Sequence, residues 1–164
     1  MDAIECIKTR RSVRSYKEGE IARETIENII QCAALAASAI NIQPVHFVVV
    51  QDKETREKIA SICDYSKFIA HASACVVVIS EDVKYYLEDA SAATQNLLLA
   101  ANALGLATCW VAGDKKPYAA EVVRLLNSPP DYKLVSIVAL GYGASEQPMP
   151  EKKPLENLLH WEKF

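Results

Sequence analysis

Arg10-Arg11-Ser12-Val13-Arg14 sets three guanidiniums and a hydroxyl within five residues, just after a short amphipathic segment at the N-terminus. The planar fork of arginine binds phosphate oxygens in bidentate fashion, so the cluster points to a phosphorylated ligand. The competing reading is a solvated cluster whose cations stabilise the C-terminal end of a helix. Five cysteines (Cys6, Cys32, Cys63, Cys75, Cys109) contain no CxxC pair, and His46, His71 and His160 are far apart, so no metal site is expected. Cys109 has no cation next to it in sequence to lower its pKa, and it reads as core rather than as a nucleophile.

The elements that must position these groups follow from hydrophobic spacing. Ile26, Ile29, Ile30, Ala33 and Ala37 recur at helical intervals and predict a helix over about 22–38. Gln43-Pro44 ends that region, and Val45 to Val50 is a β-branched and aromatic strand. A short helix at about 53–62 follows, then a nearly all-apolar strand from Ser73 to Ser80, which places it centrally rather than at an edge. Leu87 to Leu104 is apolar on every side and rich in alanine, which predicts burial all round, with a second subunit as the closely packed neighbour. Gly105 caps it; Ala107 to Val111, a helix at Tyr118 to Leu126 and a strand at Leu134 to Leu140 complete the pattern. Gly141-Tyr142-Gly143 follows that strand, but Glu146 and prolines come next, which contradicts a dinucleotide fingerprint. The polar, proline-rich end reads as an extended arm held by a partner subunit.

The layout is therefore a single domain over 1–164 with helices and strands alternating irregularly. A net charge of −3 and a pI near 5.7 argue against nucleic acid as a partner. The acidic N-terminus lacks the features of a signal peptide, and the longest apolar stretch, Asn96 to Ala112, is broken by Asn102 and Gly105. No membrane association and a cytoplasmic location are expected, with cysteine usage that fits a reducing compartment.

Four blocks in order resemble the FMN-dependent nitroreductase family: RRSVRSY (10–16), AALAASAINIQPVHFVVV (33–50), EDASAATQNLLLAANALGLATCWVAG (88–113) and YKLVSIVALGYG…EKKPLENLLH (132–160). Together they cover more than half of the chain, whose size is similar to that of the compact members. The resemblance implies an α+β fold with a central mixed or antiparallel sheet flanked by helices. It further implies a homodimer with an exchanged C-terminal arm, and FMN in a cleft between subunits.

By the same resemblance, Arg10 and Ser12, with Arg11 nearby, hold the FMN phosphate and ribityl end, and Arg14 stands near the N1–O2 edge of the ring. Ser38, Asn41, Gln43 and Pro44 match S-x-x-N-x-Q-P, a loop that the other subunit lays along the ring. Val111, Ala112 and Gly113 match the loop over flavin N5, where a backbone N–H meets the ring. Lys152 and Lys153 stand in the arm, where the family often has arginine; one of them completes the phosphate site. Val45 stands where members often carry tryptophan, and the chain between Cys63 and Asp89 is shorter than the helical excursion of larger relatives, so the expected cleft is wide and open. The implied activity is hydride transfer from NAD(P)H to a nitroaromatic, quinone or flavin acceptor by a ping-pong mechanism. A flavin-binding redox sensor, or a specialised dehydrogenase or dehalogenase with another donor, is the alternative.

Overall fold

The computed structural model describes residues 1–164. Its helices are α1 (Ala3–Thr9), α2 (Arg23–Ala34), α3 (Lys53–Ile62), α4 (Tyr86–Ala103) and α5 (Ala119–Leu125). Its strands are β1 (Tyr16–Lys17), β2 (Val45–Val50), β3 (Ala74–Ser80), β4 (Ala107–Ala112) and β5 (Lys133–Gly143). All strand pairings are antiparallel: β2 pairs with β3, β3 with β5, and the long β5 pairs also with β4 and, at its C-terminal end, with β1. The sole parallel element is an isolated bridge between Ser12 and Thr108. The fold is α+β, with helices covering both faces of the sheet.

That double cover explains why β3 is apolar from Ala74 to Ile79 and buried along its whole length. Cys75, Val77 and Ile79 join a core formed with Ile59 of α3 and Val122 of α5. Ala74, Val76 and Val78 join the opposite core, with Ile29 of α2 and Leu97 of α4. Alternate residues point to opposite faces of a strand, so a strand covered on both sides has no polar face to show.

Three expectations need correction. Helix α2 stops at Ala34, short of 38, because Leu35 and Ala36 close it with tight turns and Ser38 is extended. Helix α4 is not buried all round in the single chain. Asp89, Ala90, Ala93, Thr94, Leu97, Leu98 and Ala101 face inward, while Glu88, Ala92, Gln95 and Ala103 form an exposed stripe. Gly141-Tyr142-Gly143 belongs to β5 instead of following it, because β1 pairs with Tyr142 and Gly143. Gly141 itself lies so close to Tyr16 and Ser73 that a Cβ there would meet their atoms at 2.9–3.2 Å. Beyond Gly143 the chain is exposed and, apart from a short turn at Leu155–Asn157, irregular.

Candidate functional site

The arginine cluster owes its shape to the way α1 ends. Asp2 caps the start of the helix by accepting from the Ile4 and Glu5 amides at 2.9 and 3.1 Å, and the Arg10 amide closes it on Cys6 O at 3.1 Å. The chain then runs extended beside β4, with the Val13 amide on Thr108 O at 2.8 Å. Val13 is buried, so its neighbours Ser12 and Arg14 point the other way, outward. Arg10, Arg11, Ser12 and Arg14 line one cleft of about 560 Å³, and the arm closes it with Met149 and Lys152. Lys153 is not part of that lining.

The four donors differ in availability. Arg11 bends back, its Nη1 donating to Lys8 O at 2.7 Å and Arg10 O at 2.8 Å, while its Nε is buried without a partner. Helix capping therefore describes Arg11 well. The guanidiniums of Arg10 and Arg14 make no hydrogen bond or ion pair within the chain, which leaves their forks free for an anion. Both lie near Cys109 and favour its thiolate, but burial outweighs them and pushes the thiol up. Cys109 gains cations in space that it lacked in sequence and still stays protonated, as a core residue.

The Ser38–Pro44 segment is a tight, strained loop. Ile40, Asn41 and Gln43 all have positive φ (48°, 58° and 53°), and each non-glycine residue held there costs about 1–3 kcal/mol. Ser38 Oγ accepts from the Gln43 amide at 3.1 Å. Asp89, buried in the first turn of α4, accepts from the Ala39 amide with both carboxylate oxygens, at 3.1 and 3.3 Å. Asn41 and Gln43 are exposed, whereas Pro44 is buried. Val45 is half-buried and points beneath the loop, into a small cavity of about 110 Å³ shared with Ser38, Gln43, Phe47 and Asp89.

At the end of β4, Val111 is buried, Ala112 exposed and Gly113 buried. The Gly113 amide donates to Val135 O at 3.0 Å. Because the ladder alternates, the Ala112 N–H points away from β5, and it is the amide of this segment left free for a ligand. Glycine is required at 113 by the sheet: a Cβ would lie 2.5 Å from Leu134 Cγ. Tyr118 donates from its hydroxyl to Ala112 O, and Tyr86 donates to Asp114 Oδ1 at 2.7 Å, so two aromatic hydroxyls fix this turn.

The single chain thus gathers Arg10, Arg11, Ser12, Arg14 and Lys152, while the Ser38–Pro44 loop lines a different cavity. Sequence reading missed Asp89 and Tyr86; the signal for Asp89 was an acidic pair, Glu88-Asp89, opening an otherwise largely apolar helix. No group of histidine, cysteine, aspartate or glutamate side chains is arranged to hold a metal ion, and no helix is long and apolar enough to cross a membrane.

Comparison with known proteins gives a consistent picture. A family model described as "Putative TM nitroreductase" matches residues 2–164. A protein of Archaeoglobus fulgidus described as "Putative NADH dehydrogenase/NAD(P)H nitroreductase" is 39% identical over 153 residues, covering 87% of this chain and 88% of its own. A crystal structure of the same description from Bacteroides thetaiotaomicron superposes with a TM-score of 0.93 at 30% identity, covering 99% of this chain and 98% of that one. An FMN-dependent nitroreductase from Clostridium difficile superposes with a TM-score of 0.91 at 28% identity, covering 98% and 99%.

Proposed function

The chain belongs to the nitroreductase family, and from that premise we propose that it is a homodimeric, FMN-dependent oxidoreductase that draws electrons from NAD(P)H. The carrying observation is the convergence of Arg10, Ser12, Arg14 and Lys152 on one cleft, with two guanidiniums that have no partner in the protein. A dianionic phosphate suits such a donor set, and the volume of about 560 Å³ is in the usual range of small-molecule sites. The buried, unpartnered Arg11 Nε marks the same place as one with spare donor capacity.

FMN, when bound, supplies acceptance of a hydride at N5 and its delivery to an electron-poor acceptor such as a nitroaromatic, a quinone or a free flavin. The protein's part is binding and electrostatics. Arg10 and Ser12 hold the phosphate and ribityl end, and Lys152 adds a point charge. Arg14 contributes a fixed positive charge, which favours electron uptake by an adjacent ring. Asn41 and Gln43, each able to donate and accept, suit the polar edge of a flavin. The Ala112 N–H offers a backbone donor. The nicotinamide and the acceptor use the same space in turn, so initial-rate lines should be parallel.

The dimer is supported by what the single chain leaves uncovered. Leu155, Leu158, Leu159, Trp161 and Phe164 of the arm are all exposed, as is the stripe of α4 formed by Glu88, Ala92, Gln95 and Ala103. A clustered set of large apolar side chains in water marks an interaction surface, and a second copy of the chain is its occupant here. The loop at Ser38–Pro44 and the arginine cleft occupy separate cavities, as expected if each completes a site with the other subunit.

The test is the visible spectrum of the purified protein before and after anaerobic NADH or NADPH. A flavin spectrum that bleaches supports the whole reading. A flavin that stays oxidised removes the nicotinamide, and a colourless protein that takes up no added FMN removes the cofactor.

A further inference from the structure

We infer that Asp89 is a positioning residue for the cofactor: it sets the conformation of the Ser38–Gln43 loop that presents Asn41 and Gln43. The inference rests on the reading of that loop as part of the FMN site. Residues 38–43 contain three non-glycine residues with positive φ, a combination that short loops do not hold unaided. Within the loop, support comes from the Ser38 Oγ contact and two tight backbone turns, Asn41 N to Ser38 O and Ile42 N to Ala39 O. The one hydrogen-bonded link from these residues to the rest of the fold is the Ala39 amide on the Asp89 carboxylate.

Asp89 is well made for this task. It is 6% exposed and forms no ion pair, so the Ala39 amide is the partner that its two oxygens share. Its place in the first turn of α4 lets the helix dipole stabilise the negative charge without a cation. One turn away on the same helix, Tyr86 holds the turn after β4 through Asp114. Helix α4 is itself fixed to the sheet by Thr94, whose hydroxyl lies 2.8 Å from that of Ser136. The loop is therefore tied, through Asp89, to a helix that cannot shift independently of the sheet. A hydrophobic residue at 89 would fill the same space and leave the loop's strain without its link.

Asp89→Ala and Asp89→Asn separate positioning from bulk stability. Asp89→Ala should weaken FMN binding at least tenfold and change the shape of the bound flavin's long-wavelength band. Asp89→Asn keeps an acceptor oxygen for the Ala39 amide and should recover most of both. Arg10→Ala, at the phosphate end, should weaken binding and leave the band unaltered. FMN binding and spectrum unchanged in Asp89→Ala would overturn the inference while leaving the FMN reading intact. A wild-type protein that binds no FMN would overturn that reading, and this inference with it. Should neither variant fold, the wild-type Ala39 amide decides: slow hydrogen exchange is expected, and exchange as fast as in an open loop overturns the link.

Discussion

Tyr86 and Asp114 are joined by a 2.7 Å hydrogen bond that ties the first turn of α4 to the residue after Gly113. That bond, more than burial, pushes the tyrosine's pKa from its ordinary 10 up to about 12. A raised pKa in the folded state means stability that is fully present below the unfolded value and is lost as pH climbs through the folded one. The contribution therefore disappears between about pH 10 and pH 12. Tyr86→Phe should lower stability at pH 8 by about 1 kcal/mol, since the partly exposed bond is to a charged group. Its melting temperature should also fall less steeply than that of the wild type across the alkaline window. Equal slopes in the two proteins would show that the hydroxyl is not held by Asp114.

Gly113 should prove a structural glycine whatever the cofactor does. A methyl group at 113 would lie 2.5 Å from Leu134 Cγ and 3.1 Å from the Val135 backbone, and neither neighbour has room to withdraw from a buried strand. Overpacking of this kind costs about 1–3 kcal/mol. Denaturant unfolding of FMN-free Gly113→Ala should show that loss. Unchanged stability without cofactor would mean that the contact relaxes freely and that the glycine serves the ligand alone.

How far the sequence could be read depended on whether the deciding interaction was local. Strand β3 was legible because Ala74 to Ser80 carries its own double-sided pattern, and two covered faces leave one solution. The arginine cleft was legible because its donors are neighbours in the chain. The end of α2 was not: Ala36 and Ala37 suit a helix, and the residue that anchors the departing chain at Ala39, Asp89, is fifty positions away. The face of α4 was also hidden, since alanine is compatible with core and with an open stripe alike. Two-residue β1 is too short to have a period, and without it the strand was expected to end at Leu140, with Gly141 to Gly143 following it. The same distance effect hid the role of Tyr86, whose partner lies 28 residues on, past β4.

Removing the arm tests the dimer. The segment from Pro148 to Phe164 is exposed throughout, yet it carries Leu155, Leu158, Leu159, Trp161 and Phe164. Its deletion takes no buried residue from the chain's own core, so the truncated protein should fold. Sedimentation should show a monomer where the full chain sediments as a dimer, and FMN should be lost along with Lys152. A truncated chain that remains dimeric would place the interface on the α4 stripe alone.

Lys152 and Lys153 offer a direct comparison of two adjacent cations. Only Lys152 lines the cleft with Arg10, Ser12 and Arg14. Lys152→Ala should weaken FMN binding by about tenfold, a charge-assisted contact being worth roughly 1.5–3 kcal/mol before solvent screening. Lys153→Ala should change it little. Lysine binds phosphate as a point charge, whereas arginine adds a planar pair of donors, so Lys152→Arg should tighten binding several-fold. Equilibrium titration by flavin fluorescence resolves all three, and raising the salt should weaken the wild type more than the Lys152→Ala variant. If Lys153→Ala is the damaging change, the arm sits one residue out of the register found here, and the dimer draws it across the site differently from the isolated chain.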